Sequence, residues 1–462
     1  MSIAAPAAIA ANRFGLGARP GELERIGSAG ADWLRAQLRG GPPLLAADEL
    51  QEAAQTLREA LALRRELQAE RRAAADVAAA QQRLGAFLRP IYAAEATARL
   101  RAAVGSERPF LERLVHFWSN HFAVSVDKQL LAGLAGGFER EAIRPHLLGP
   151  FRELLRAVEM HPAMLLYLDN HLSVGPHSPA ALRRERRDPA HRVGLNENLA
   201  REILELHTLG VGGGYTQNDV TRFAEVLTGW SIGGGEGRAA GEPGRFVFRA
   251  ELHEPGARVV LNTRYADAGL GQGTAVLDDL ARHPATAHFI ATKLARHFIA
   301  DEPPEPAVRR IAGVFTATEG DLRAVYGALL EAREAWAQPL AKYKTPADYV
   351  ISAYRGLEIA PEAGKNPLAP FELLGQRTWQ PGSPAGWPDR SADWDGASAL
   401  LKRVQWAEAL GARLGSSRAA ATLAPQLLGA NLGEASAHAI QHASSGAQAV
   451  TLLLASPEFM RR

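Results

Sequence analysis

The chain contains no cysteine, which excludes disulfides, thiolate metal sites and cysteine nucleophiles without fixing a compartment. No stretch reaches eighteen uninterrupted apolar residues, so nothing reads as a membrane-spanning helix. An excess of one charge is also missing: 52 Lys plus Arg stand against 50 Asp plus Glu, which leaves no electrostatic footprint for nucleic acid or an anionic membrane. The alanine-rich start has no basic segment before a Leu-rich core, so it fails as a secretory signal and the cytoplasm is the default location. Neither Gly-x-x-x-x-Gly-Lys-Ser/Thr nor a strand-flanked Gly-x-Gly-x-x-Gly occurs, and the run Gly212-Gly213-Gly214 is therefore not a phosphate loop.

What is present is ample apolar material for a core. At 462 residues the length alone allows two or three domains or one large helical body. Residues 50–99 are rich in Ala, Leu, Glu, Arg and Gln with no glycine before Gly85, which predicts long helices in a hairpin, an insertion-like arm with a solvated charged face. Residues 100–232 read as core helices that carry the candidate site. Residues 233–265 read as a glycine-rich loop followed by one β-hairpin, 246–248 against 259–261, and 266–462 as a C-terminal helical part. The segment 173–192, with prolines and the run Arg183-Arg184-Glu185-Arg186-Arg187, is expected to be a mobile loop in the position of a lid. The predicted fold class is mainly α: a multi-helix globular body, a long helical-hairpin arm and one small β-hairpin.

Polar and turn-forming residues concentrate in 196–230. On a regular helix of about 3.6 residues per turn, Asn198, Arg201, Glu202 and Glu205 fall in one narrow stripe, and Leu199, Ile203, Leu204 and Leu206 take the other faces. A surface helix shows a broad charged face, so a thin seam faces a cavity or a neighbouring helix. Two readings stand. Glu197–Arg201 and Arg201–Glu205 are i,i+4 pairs that support a helix by about 0.2–0.5 kcal/mol each; alternatively, Glu202, Glu205 and Arg201 act on a ligand. His207 projects away from both carboxylates, so a divalent metal held by Glu202, Glu205 and His207 requires the helix to end early, before Gly210.

The buried helix 109–124 offers His121 as an imidazole and Asn120 as a hydrogen-bonding amide, and Leu168-Asp169-Asn170 offers a carboxylate with an amide beside it. The bland readings are a satisfied core histidine and an Asx-type cap. As a site, the catalytic set is Glu202, Glu205, Asp169, His121 and Arg201. Asn120, Asn170, Asn198, Tyr215, Trp230 and Trp387 would contact substrate, and Glu202, Glu205, His121 and His207 are the metal candidates. Carboxylate plus imidazole suits Mg, Mn, Fe or Zn, and without metal the same set suits acid/base work. The loop 380–388, with Trp379 and Trp394 flanking Trp387, reads as a pocket wall or as aromatic packing over the core.

Several motifs run along the whole chain in one order: Phe117-Trp118-x-Asn120-His121-Phe122, Leu168-Asp169-Asn170, Asn196-Glu197-Asn198-Leu199-Ala200-Arg201-Glu202, Glu205-Leu206-His207-Thr208-Leu209-Gly210, Thr228-Gly229-Trp230, Tyr343-Lys344-Thr345-Pro346 and Ser456-Pro457-Glu458-Phe459. Together they resemble the bacterial family called domain of unknown function 1800, and mark 1–462 as one family-type domain. The resemblance implies a mostly helical protein, and neighbours from a sulfatase-like family, domain of unknown function 1501, whose members tend to carry twin-arginine export signals. Two expectations of different class result. One is an enzyme, metal-dependent or acid/base, with a carboxylate/His/Asn site between core helices. The other is a non-catalytic binding or maturation partner that docks a sulfatase-like protein through the arm and is carried with it to the periplasm.

Overall fold

A computed structural model of the chain describes residues 5–45, 49–74, 77–188, 194–234, 241–337, 340–361, 366–415 and 419–462. It is mainly α, and its only sheets among the described residues are two small antiparallel pairs. Helices α1 (Ala53–Ala74) and α2 (Val77–Gly105) form the hairpin, zipped by Ala60, Leu67, Leu84 and Leu88. Arg64, Arg65 and Glu66 are exposed, as a solvated face requires. The other half of α2 is sunk in the body: Leu100 and Ala103 join the main core, and Arg99 and Glu95 pair with Glu139 and Arg140 at 2.7 and 3.0 Å.

Helix α3 (Pro109–His121) is the axis of the core. Its proline sits at the first turn, where a missing N–H costs nothing, and almost every residue after it is buried, its charged members Glu112 and Arg113 being paired with Arg144 and Asp348. Trp118 meets Phe151 of α4 (Phe151–Glu159); α5 (Pro179–Arg187) follows, and α6 (Asn198–Glu202) packs on α7 (Gln217–Leu227). Phe117 meets His297 of α8 (Pro284–Phe298) and Arg113 meets Asp348 of α9 (Pro346–Gly356), with α10 (Ala397–Leu414) packed on α11 (Gly446–Ala455) at the C-terminal side.

Three local expectations are corrected. The proposed lid is a helix over Pro179–Arg187, started by Ser178, whose hydroxyl accepts from the Ala181 N–H, and by proline at the first position; that Ser-Pro start signal was outweighed in the sequence by the arginine run, and residues 189–192 lie outside the described residues. The segments 246–248 and 259–261 do not pair with each other. β1 (Trp230–Ile232) pairs with β2 (Phe246–Phe248), and β3 (Arg258–Val260) pairs with β4 (Thr263–Tyr265). The second pair closes through Leu261 and Asn262, both at positive φ, the two-residue turn that matches strand twist. Finally, the helix bearing the polar seam is not regular: after α6 it widens into a π-helical turn over Ile203–Thr208.

The pieces meet at one buried carboxylate. Tyr343 bridges Arg461, and the flanking backbone bonds, Lys342 N–H to Arg462 O (3.0 Å) and Arg462 N–H to Lys342 O (2.8 Å), fold the Arg462 side chain inward. There its guanidinium lies 3.2 Å from Asp348 on α9, opposite Arg113 of α3 at 3.0 Å. The Arg462 contact lacks hydrogen-bond alignment, so it holds by charge. Burial raises the Asp348 carboxyl, but Arg113 and Arg462 outweigh it and hold the group far below the usual carboxylate range. A depressed folded-state value stabilises the fold above the unfolded value of about 3.9, and that stability is lost as pH falls below it. Asp348→Asn is therefore expected to cost about 3–5 kcal/mol in urea unfolding at neutral pH and to flatten the acid limb of the stability curve. An acid limb equal to wild type would refute this linkage.

Candidate functional site

A cavity of about 350 Å³ opens beside this carboxylate, within the size of small-molecule sites. α3 forms one wall with His116, Asn120 and His121; α8 forms the second with Lys293, Arg296 and His297; Thr345 and Asp348 lie at the start of α9; and the loop 376–393 closes it with Trp379, Trp387 and Asp389. The loop is held by defined bonds. Asn120 Nδ2 donates to Trp387 O at 2.9 Å, and the Trp387 N–H donates to Asn120 Oδ1 at 2.7 Å. Gly386 makes the approach feasible: its φ is +82°, and a Cβ there would collide with the Asn120 backbone oxygen. Farther along, the Val126 N–H donates to Trp379 O at 2.9 Å.

The hydrogen-bond partners assign the tautomers of two cavity histidines. His297 Nδ1 is 3.1 Å from Asp389 Oδ2, an ionised acceptor, so Nδ1 carries the proton. Burial pushes the Asp389 carboxyl up, but His297, which donates to it, and the charges of Lys342 and Arg462 outweigh this and hold it well below the usual carboxylate range. His297 Nε2 then presents a lone pair, and it has no hydrogen-bond partner. His121 Nε2 is 3.1 Å from the His207 carbonyl oxygen, which also only accepts, so the His121 lone pair is on Nδ1, again unpartnered. Burial pushes both imidazoles below 6.5, and they are neutral at pH 7. The Trp387 Nε1 proton and His116 Nε2 also lack partners. Orphaned buried polar atoms are uncommon, and these four, with Asp348 Oδ2, belong to residues of one cavity.

The family model described as "Protein of unknown function (DUF1800)" matches residues 9–461. The chain belongs to this family. No curated protein and no solved structure matches it.

In this DUF1800 chain the residues singled out by sequence divide between places. Asn120, His121 and Trp387 line the cavity; the others do not. Asp169, at φ 58°, pairs with Lys128. Asn170 is buried and donates to the carbonyls of Leu227 and Trp230, each at 3.1 Å. Asn198 is exposed and receives its cap from Asn196 Oδ1 at 2.9 Å, while Asn196 Nδ2 ties down the carbonyls of Leu168 and Asp169. Arg201 is held by Glu197 and Gln217 at 3.1 and 2.9 Å, and Trp230 is fully buried against Phe246. Glu202 is half-buried, and burial followed by the charges of Glu205 and Glu159 pushes its carboxyl up. The Tyr215 hydroxyl meets Glu205.

The metal set is corrected. His207 is fully buried with Nδ1 2.7 Å from Glu159 Oε1, His121 spends Nε2 on a carbonyl, and among the described residues no three His, Asp or Glu side chains come together to hold a metal ion. A regular helix already projects His207 away from both carboxylates, and in the π-helical turn its imidazole is committed to Glu159 at the end of α4.

Lys293, His297, Asp348 and Asp389 escaped the sequence reading as site residues. One signal was available, the i,i+4 spacing of Lys293 and His297 on a helix; Asp389, in a loop 92 residues from His297, left none. The Asn120–Trp387 clasp yields a test. Asn120→Ala, and Gly386→Ala by a different route, should each lower stability by about 1–3 kcal/mol and speed amide exchange across 380–390. Unchanged exchange in both variants would show that the clasp does not hold the loop.

Proposed function

We propose that the protein is an enzyme that binds an anionic small molecule in this cavity and moves a proton on it, with His297 as general base and Asp389 as the group that orients it. The observation that carries the reading is the His297–Asp389 pair, one imidazole nitrogen committed to a partly buried carboxylate and the other without a partner at a cavity wall. A neutral imidazole in that state is a competent base at pH 7, and positioned acid/base groups contribute about 10²–10⁴ in rate. Anion preference comes from the charge count. Arg99, Arg377 and Arg390 each pair with a glutamate, and Asp348 is offset by Arg113 and Arg462. Lys293 and Arg296 have no carboxylate partner among the described residues, while Asp389 is engaged by His297 and lies near Lys342 and Asp393 is exposed, so the two cations of α8 are the ones left for an anion. The Trp387 N–H and the His121 lone pair add one donor and one acceptor for orientation.

The test is a thermal-shift screen of small carboxylates, phosphates and sulfates, followed by NMR detection of turnover for each binder. A binder at a hundred times its Kd should stabilise the protein by about 2.7 kcal/mol. Arg296→Ala should abolish that shift, and His297→Gln should keep it while slowing turnover by about 10²-fold or more. Glu202→Gln and Glu205→Gln separate this reading from a site on the polar seam, since here both should leave binding unchanged. A wild-type protein that binds no member of the panel would sink the enzyme reading and return the weight to docking beside a sulfatase-like protein.

A further inference from the structure

We infer that Lys293 is a nucleophile that condenses with an aldehyde or ketone bearing an anionic group, forming an imine in the cavity. The inference rests on the reading of the cavity as a small-molecule site and names the substrate class. Lysine is scarce in this chain: six residues, at 128, 293, 342, 344, 365 and 402, among 52 cationic side chains. Arginine cannot give up its proton in a protein, so a cavity that needs only charge has no use for one of the few lysines.

Three other lysines are committed. Lys342 Nζ is 2.6 Å from Asp301, Lys344 Nζ donates to Ser352 Oγ at 3.1 Å and lies 4.2 Å from the Phe459 ring, and Lys128 is paired with Asp169. Lys402 is exposed on α10, and Lys365 lies outside the described residues. Lys293 lines the cavity, with its Nζ over the Phe289 ring at 5.6 Å and no hydrogen bond or ion pair among the described residues. The charged groups that face it are Arg296 on its own helix, Asp389 from the loop and, when protonated, His121 from α3. Burial lowers the Lys293 ammonium to about 8, against about 10.4 for a free lysine, so a large share is the neutral amine at mildly alkaline pH. Desolvation is one established way to activate a lysine for Schiff-base chemistry.

The step balances without an oxidant or reductant. The Nζ lone pair forms the N–C bond while the carbonyl π pair moves to oxygen, which takes up a proton. The nitrogen then gives a proton to His297 Nε2, one helical turn away on the same face, and His297 passes it to the carbinolamine hydroxyl, which leaves as water while the nitrogen lone pair closes the C=N bond of a protonated imine. Arg296, next to His297, is placed for the anionic group of the ligand.

The test uses the full chain with glyoxylate as probe and cyanoborohydride to reduce any imine to carboxymethyl-lysine, read residue by residue by peptide mass spectrometry near pH 8. Lys293 should be modified at least about tenfold faster than exposed Lys402, with saturation in glyoxylate and a slower rate in His297→Gln. The melting-temperature shift with glyoxylate alone reports binding separately. A shift without preferential Lys293 modification would overturn the imine while leaving the small-molecule reading intact. Neither a shift nor preferential modification would overturn the imine as well, and the fate of the cavity reading would then rest on the wider anion panel.

Discussion

Asp348, buried between Arg113 and Arg462, is the contact on which the arrangement depends. It joins the central helix, the start of α9 and the segment that folds back along 342–344, three parts far apart in the chain. Each buried ion costs several kcal/mol of lost hydration, repaid only when charge and hydrogen bonds are supplied from the protein. Here cations outnumber carboxylates. Arg113, Lys342, Lys344, Arg403 and Arg462 are each about 1 % exposed, with Asp348, Asp389 and Asp301 as their nearest acids. The deficit is met by backbone carbonyls and ring faces: Arg403 donates to Lys344 O at 2.7 Å and lies 4.3 Å from the Tyr343 ring. Removing the central carboxylate strands several cations at once. Asp348 also lines the neighbouring cavity, so the constraint that holds the fold reaches its candidate site.

The second constraint is the π-helical turn at Ile203–Thr208. The Thr208 hydroxyl donates to the Ile203 carbonyl at 2.6 Å and so accounts for one backbone acceptor that the widened turn frees. His207 turns into α4 to meet Glu159, and its own carbonyl accepts from His121. One irregular turn thereby fixes the tautomer of an imidazole at the cavity wall from a helix that does not reach the cavity. The preceding Asn196-Glu197-Asn198 serves a related end: Asn196 clamps the Leu168–Asp169 turn, and Glu197 accepts from Arg201, Gln217 and Thr221, locking α6 to α7. These polar residues form a framework behind the cavity and not its lining.

Much of the architecture was legible because it depends on local rules. The hairpin α1–α2 follows from composition, α3 from an apolar run behind Pro109, and α7 from the Thr216/Asp219 capping box, which the structure shows with both hydrogen bonds made. Asn120, His121 and Trp387 stood out as polar or aromatic groups in surroundings that demand partners. The polar seam of Asn198, Arg201, Glu202 and Glu205 was visible for the same reason, but a stripe on one helix does not say what it faces, and Arg201 turns out to tie α6 to Gln217 of α7.

The sequence by itself determined the helical class, the extent of the family domain and the short list of polar groups that could not be left unpaired, since propensity, capping and burial act within a few residues. Only the tertiary structure decided which of them meet. Asp389 reaches His297 across 92 residues, Asn120 reaches Trp387 across 267, and His207 reaches Glu159 across 48. Such pairings are set by how helices pack around a shared buried charge, a global balance of desolvation and Coulomb energy that no local pattern encodes.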